Sequence, residues 1–141
     1  MTNINDYTPF RKGTYQTFSC SENKCTYSGK NPEGKEIRQF QVDGGVFSKG
    51  STPARCDWLF LNDMDSRVYY VELKGSDIPR AIAQIQSTEN EIQSSIRQYS
   101  VFRRIVYHTG SHKVNGSEAI NWKNQGRGAN IIKAQKYDEV F

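Results

Sequence analysis

The run Cys56-Asp57-Trp58-Leu59-Phe60-Leu61-Asn62-Asp63-Met64-Asp65-Ser66-Arg67-Val68-Tyr69-Tyr70-Val71-Glu72-Leu73-Lys74 holds two apolar segments around a polar centre. Cys56 to Leu61 and Val68 to Leu73 are rich in aromatic and β-forming residues, which fit a pleated, packed surface. Asn62 to Ser66 is turn chemistry. The run therefore reads as an antiparallel hairpin. Both of its faces are largely apolar, so the sheet that contains it is expected to be covered on both sides.

A turn centred between Met64 and Asp65 pairs residues whose numbers sum to 129, and 57 + 72 = 129. Asp57 then lies directly opposite Glu72 on one face. Opposed like charges are destabilising, and burial between layers makes the cost larger. Such a pair is tolerated when a cation sits between the two or when one carboxyl keeps a proton. Strand alternation adds Lys74 to the same face. Oxygen ligands of this kind suit Mg²⁺ or Mn²⁺, and such an ion activates water and neutralises charge on a phosphate. The competing reading is a salt-bridged cluster in which Lys74 neutralises Glu72.

Beyond Gly75 the period changes. Asp77 or Ile78 can cap a helix, with Pro79 in its first turn. Ile78, Ile82, Ile85, Ile92 and Ile96 then form one apolar stripe. A strand is expected at Arg104–Tyr107, a short helix at Ser117–Lys123 and a last strand at Ala129–Ala134. Upstream, Lys24–Ser28 reads as a short strand, Asn31-Pro32-Glu33-Gly34 as a turn and residues 36–48 as a strand with a bulge at Gly44-Gly45. The polar first ~20 residues suggest a short strand or helix with a loose end. The order predicts one α/β (α+β) domain over residues 1–141, a central mixed sheet flanked by helices.

Hydrophobic residues make up 35% and charged residues 24% of the chain, with eight Tyr and seven Phe, which argues against disorder. No apolar run reaches the ~18 residues of a membrane span, and the start resembles no secretory signal. A soluble, cytoplasmic protein is the expectation. Cys20, Cys25 and Cys56 read as thiols. A zinc site from Cys20, Cys25, His108 and His112 is disfavoured, because 82 residues separate Cys25 from His108. Residues 1–100 hold 12 Lys/Arg against 12 Asp/Glu, whereas residues 101–141 hold 7 against 3. The net charge of +4 therefore sits in the last third, which suits a polyanion such as nucleic acid.

Asp57 followed by Glu72-Leu73-Lys74 on the next strand, and then by a helix, resembles the PD-(D/E)xK nuclease superfamily. Its members include restriction enzymes, Holliday-junction resolvases and phage exonucleases. Arg55 to Phe60, then Val71 to Asp77, Ala81 and Gln84 resemble small bacterial and phage proteins of this type, over about residues 40–90. The resemblance implies a restriction-endonuclease-like fold and hydrolysis of a nucleic-acid phosphodiester, DNA first, through one metal-activated water. It implies Asp57, Glu72 and the Leu73 backbone carbonyl as ligands of Mg²⁺ (or Mn²⁺), and Lys74 as the catalytic lysine. Three departures stand out. Cys56 replaces the Pro of the motif. No upstream helix carries a further acid, which leaves Glu22 and then Asp43 as candidates. Thr88 rather than Tyr follows Gln84 by four, so the Q-x3-Y exonuclease branch is not supported.

Gln84 is expected to flank the site or to be an ordinary surface residue. Arg103, Arg104, Lys113, Lys123 and Arg127, with Lys133 and Lys136, are the candidates for phosphate contacts. A homodimer that cuts both strands is compatible with a domain of this size. Two rivals remain open: a catalytically silent domain of the same fold that binds nucleic acid or protein, and an interaction protein whose acids are a surface feature.

Overall fold

In a computed structural model of the protein, the described residues are 2–74, 77–108 and 114–141, and for Lys74 only the backbone is described. The elements run β1 (Arg11–Gly13), β2 (Thr17–Glu22), β3 (Cys25–Lys30), β4 (Ile37–Gln41), β5 (Trp58–Asn62), β6 (Arg67–Lys74), α1 (Ile78–Ile92), β7 (Ser100–Tyr107), α2 (Ser117–Gly126), β8 (Asn130–Ala134) and β9 (Lys136–Val140). A short 3-10 turn precedes β1, at Ile4–Asp6, and another, Gln93–Ser95, follows α1.

Six strands form a mixed sheet in the order β1-β4-β5-β6-β7-β8. β1, β4, β5 and β6 pair antiparallel, while β6, β7 and β8 are parallel. The crossover from β6 to β7 is α1. Parallel neighbours need such a connection, and this sequence builds it with a capped helix: Asp77 Oδ1 accepts from the Arg80 amide at 3.1 Å, and Pro79 stands in the first turn.

Alternation along the central strands feeds two cores. Leu59, Leu61, Val68, Tyr70 and Ile105 face one side, against Ile78, Ala81, Ile85 and Ile92 of α1 and Ala119 and Trp122 of α2. Trp58, Phe60, Tyr69, Val71, Leu73 and Val106 face the other. That second face is covered by a second sheet, β2-β3-β9, with β2 and β3 antiparallel and β3 and β9 parallel. The expectation of a mixed sheet covered on both sides is met, with strands rather than helices on one side. Among the described residues, no helix is long and apolar enough to cross a membrane.

The two sheets are pinned by one buried ion pair and one ring. Arg104, on β7, donates from Nε and Nη2 to the Glu139 carboxylate of β9 at 2.8 and 2.9 Å. Phe141 lies among Phe18, Phe60 and Tyr69. It passes so close to β3 that a Cβ on Gly29 would stand 2.0 Å from its ring. Glycine at position 29 is what lets the ring in.

Three expectations are corrected here. The strand placed over residues 36–48 stops at Gln41, where residues 42–50 turn back on themselves through Val46 N to Gln41 O and Phe47 N to Val42 O. α1 buries Ile78, Ala81, Ile85, Thr88, Glu89 and Ile92, so Ile82 sits at the rim and Ile96 lies beyond the helix, although buried. β9 follows β8 directly and was not anticipated.

Candidate functional site

The β5–β6 ladder pairs Trp58 with Val71, Leu59 with Tyr70, Phe60 with Tyr69, Leu61 with Val68 and Asn62 with Arg67, so every sum is 129. One step further puts Asp57 opposite Glu72, as the turn chemistry predicts. There the ladder ends and the side chain takes over: Asp57 Oδ2 accepts from the Leu73 amide at 2.8 Å. The Asp57 carbonyl accepts from Val42 N at 2.9 Å, which holds the residue from the β4 side. Glu72 is buried on β6, only 2% exposed.

A third carboxyl arrives from the small sheet. β2 and β3 are joined by Asn23-Lys24, both with positive φ (52° and 63°), the conformation of a two-residue I′ hairpin turn. Glu22 is the last residue of β2, opposite Cys25. Its charge acts on Asp57 and raises that carboxyl. Of the two candidate extra acids, Glu22 joins the pair. Asp43 instead caps the 42–50 turn, its Oδ1 accepting from Gly50 N at 3.2 Å.

Burial is the main reason the Asp57 carboxyl is pushed up from 3.8 to about 7; the Leu73 amide opposes that, and Glu22 adds to it by charge and by hydrogen bond. The bond with Glu72 holds it down. Asp57 therefore titrates near neutral pH. The three thiols ring it and remain protonated. Cys20 is raised by burial and then by Asp57 and Glu22, Cys25 by burial and then Asp57, and Cys56 chiefly by burial. No disulfide joins them, and His112 lies outside the described residues.

All the donors at this point are oxygen: three carboxyls and the Leu73 carbonyl. That set suits a hard cation such as Mg²⁺. Two features stand against a ready-made cage. The Leu73 carbonyl already accepts from the Asn23 side-chain amide at 3.0 Å. Among the described residues, no group of three or more His, Cys, Asp or Glu has the geometry of a metal site. A cation bound here would have to displace the Asp57 proton and the Asn23 amide.

α1 secures the approach to Asp57. Gln84 Nε2 donates to the Arg55 carbonyl at 3.2 Å, Ser87 Oγ donates to the Ala54 carbonyl, and Cys56 N donates to Thr88 Oγ1 at 2.9 Å. Gln84 is thus tied to the chain two residues ahead of Asp57, a flanking position. The part played by Asn23, Ser87 and Thr88 had no sequence signal beyond a turn-forming Asn and a polar helix side.

Of the residues expected on the nucleic acid, two are corrected. Arg104 is 4% exposed and spends its guanidinium on Glu139 and on the Arg103 and Ala129 carbonyls. Arg103 is paired with Glu89 through two nitrogens and with Asn130 Oδ1 at 3.0 Å. Lys123 is half-buried in the last turn of α2, and Arg127 is exposed at its left-handed end, φ 50°. Lys113 and the side chain of Lys74 lie outside the described residues. Compared with protein-family models, with curated proteins and with solved structures, the chain matches none.

Proposed function

We propose that the protein is a divalent-metal-dependent phosphodiesterase acting on nucleic acid, DNA first, with a restriction-endonuclease-like core. One observation carries the reading. Glu22, Asp57 and Glu72 come together where the β5–β6 ladder ends, and burial, with the charge of Glu22 adding to it, raises the Asp57 carboxyl to about 7. A cation offsets the cost of ionising a buried carboxyl there. The hairpin, the helix capped by Asp77 and the parallel strand after it supply the context that the D…ExK resemblance asks for.

Asp57 and Glu72, with the Leu73 carbonyl, would hold Mg²⁺ or Mn²⁺, and Glu22 adds a further oxygen. When bound, such an ion supplies a water of lowered pKa and charge neutralisation at the phosphate. The chain's own residues do the rest. The Leu73 amide fixes the Asp57 carboxylate, and the α1 contacts fix the strand leading to it. Lys74, two residues after Glu72, is assigned to the attacking water or to the charge that grows on the phosphate. The water oxygen bonds to phosphorus as one P–O ester bond breaks. One product keeps the phosphate, and the other leaves as an alcohol carrying a proton.

The second reading, a catalytically silent domain of this fold that binds nucleic acid, is favoured by the Asn23 amide already seated on the Leu73 carbonyl. Cleavage of plasmid and of duplex, branched and single-stranded oligonucleotides, with Mg²⁺, Mn²⁺ or EDTA, separates the two. Metal-dependent cleavage supports the first reading. Metal stabilisation without cleavage supports the second, and neither response removes both.

A further inference from the structure

Beside the chain leading to Asp57 lies a polar cavity of about 250 Å³, lined by Asp43, Ser51, Arg55, Arg80 and Gln84 among others. Arg55 is 8% exposed. Its guanidinium lies 4.0 Å from the Phe47 ring centroid and donates to Ser51 Oγ at 2.8 Å and to Glu91 Oε1 at 3.5 Å. Its Nε is buried and has no hydrogen-bond partner among the described residues. Gln84 presents the converse. Its Nε2 is committed to the Arg55 carbonyl at 3.2 Å, which fixes the amide, and its buried Oε1 has no partner among the described residues. Arg80 is exposed on the first turn of α1 and forms no ion pair among the described residues.

Burying an unpaired guanidinium N–H and an unpaired amide oxygen, on two residues that line one cavity, is costly. One ligand answers both: an anionic oxygen for Arg55 and Arg80, and next to it a donor for Gln84. A sulfate lacks the donor, and an inorganic phosphate has one only as its own P–OH. The cavity also has room for roughly eight waters at ~30 Å³ each, more than one phosphate fills. Of the two guanidiniums in the lining, that of Arg55 is paired with Glu91 and that of Arg80 with no carboxylate among the described residues, while Asp43 is engaged with Gly50 N. Guanidinium groups match phosphate oxygens in geometry and charge.

We propose that this cavity is a nucleotide-phosphate subsite, with Arg55 and Arg80 on the phosphate and Gln84 Oε1 accepting from a hydroxyl or amine of the same nucleotide. It deepens the nuclease reading by placing a substrate phosphate beside the carboxyl cluster, yet its test needs neither metal nor cleavage. Calorimetric titration in EDTA with AMP, adenosine and inorganic phosphate is the measurement. AMP should bind more tightly than either of the others. Arg80→Ala, a change on an exposed helix position, should weaken it about tenfold or more, and Arg55→Lys should weaken it while the melting temperature reports that the fold is intact. Equal affinity for AMP and adenosine, or an Arg80→Ala protein that binds AMP as the wild type does, overturns the proposal. A short oligodeoxynucleotide that displaces AMP assigns the subsite to a strand, and one that does not assigns it to free nucleotide. AMP binding in a protein that neither responds to Mg²⁺ nor cleaves would keep the subsite and remove the nuclease.

Discussion

Replacing Asp57 by Asn removes one titrating group and little else. The new side chain keeps an oxygen for the Leu73 amide, the 2.8 Å bond that the carboxylate makes. The carboxyl is held at about 7 in the folded protein against 3.8 as its ordinary value, a rise of about three units. At ~1.4 kcal/mol per unit the ceiling is ~4 kcal/mol; the carboxyl is only partly buried, which lowers it, and about 2 kcal/mol is the expectation. The sign follows from the raised value. The folded state binds this proton more tightly than the unfolded state, so the contribution is whole below the ordinary carboxylate pKa and is lost as pH rises through about 7. Part of it is already lost at pH 5, so without metal the wild type should melt roughly 4 °C lower at pH 8 than at pH 5 on this account. Asp57→Asn should lack most of that slope and exceed the wild type at pH 8. Adding Mg²⁺ at about a hundred times its Kd should return ~2.7 kcal/mol to the wild type and little to the variant. Calorimetric melts of both proteins at the two pH values, with EDTA and with Mg²⁺, measure every part of this. Parallel pH slopes in the two proteins would refute the raised Asp57 carboxyl, and equal Mg²⁺ stabilisation would refute Asp57 as a ligand.

Glu72→Gln and Lys74→Ala should each lower cleavage on the order of 10²-fold or more; only Lys74→Ala should keep the Mg²⁺-dependent rise in melting temperature, and its loss there would move Lys74 into the metal site. Gly29→Ala forces a Cβ to within 2.0 Å of the Phe141 ring, so denaturant unfolding should show a loss of about 2 kcal/mol, part of which Phe141→Leu restores; additive effects would show that the two do not meet. Arg104→Met leaves the Glu139 carboxylate, 14% exposed, without its partner and should cost about 3–5 kcal/mol by urea titration, with Glu139→Gln recovering much of it. If Arg104→Met instead keeps its stability and loses affinity for oligonucleotides, the inward assignment of that arginine is wrong.

The hairpin was legible because its information is local. Asn62 to Ser66 form the turn, and a one-residue slip would carry Leu59 and Leu61 to the wrong core, so the register is fixed. α1 was legible in its cap and in Ile78, Ile85 and Ile92, but its buried side is completed by Ala81 and Thr88 rather than by Ile82. Hydrophobicity does not reveal Thr88. Its hydroxyl is buried because it has partners in Cys56 N and the Gln84 carbonyl. The second sheet was the least legible part. β2 and β3 carry Ser19, Ser21, Thr26 and Ser28, with hydroxyls paired across the ladder at 2.9 Å. β9 joins β3 in parallel from more than a hundred residues away, and no local pattern encodes such a pairing. The basic last third misled for a related reason. A count of charges does not tell which cations are consumed by Glu89 and Glu139, and the fold consumes Arg103 and Arg104.

Glu22 belongs to one layer of the sandwich, and Asp57 and Glu72 to the other. The carboxyl cluster is therefore also a joint between layers, and its state of charge is a mechanical variable. Protonated, it is a latch of hydrogen bonds. With Asp57 ionised, its charge opposes that of Glu22 across the two layers, and the Asn23 contact on Leu73 holds the β2–β3 hairpin against β6. A cation gripping all three carboxylates would act as a rivet through both sheets. Amide hydrogens of β2 and β3, far along the hairpin from the carboxyls, would then exchange more slowly with the ion present than without it.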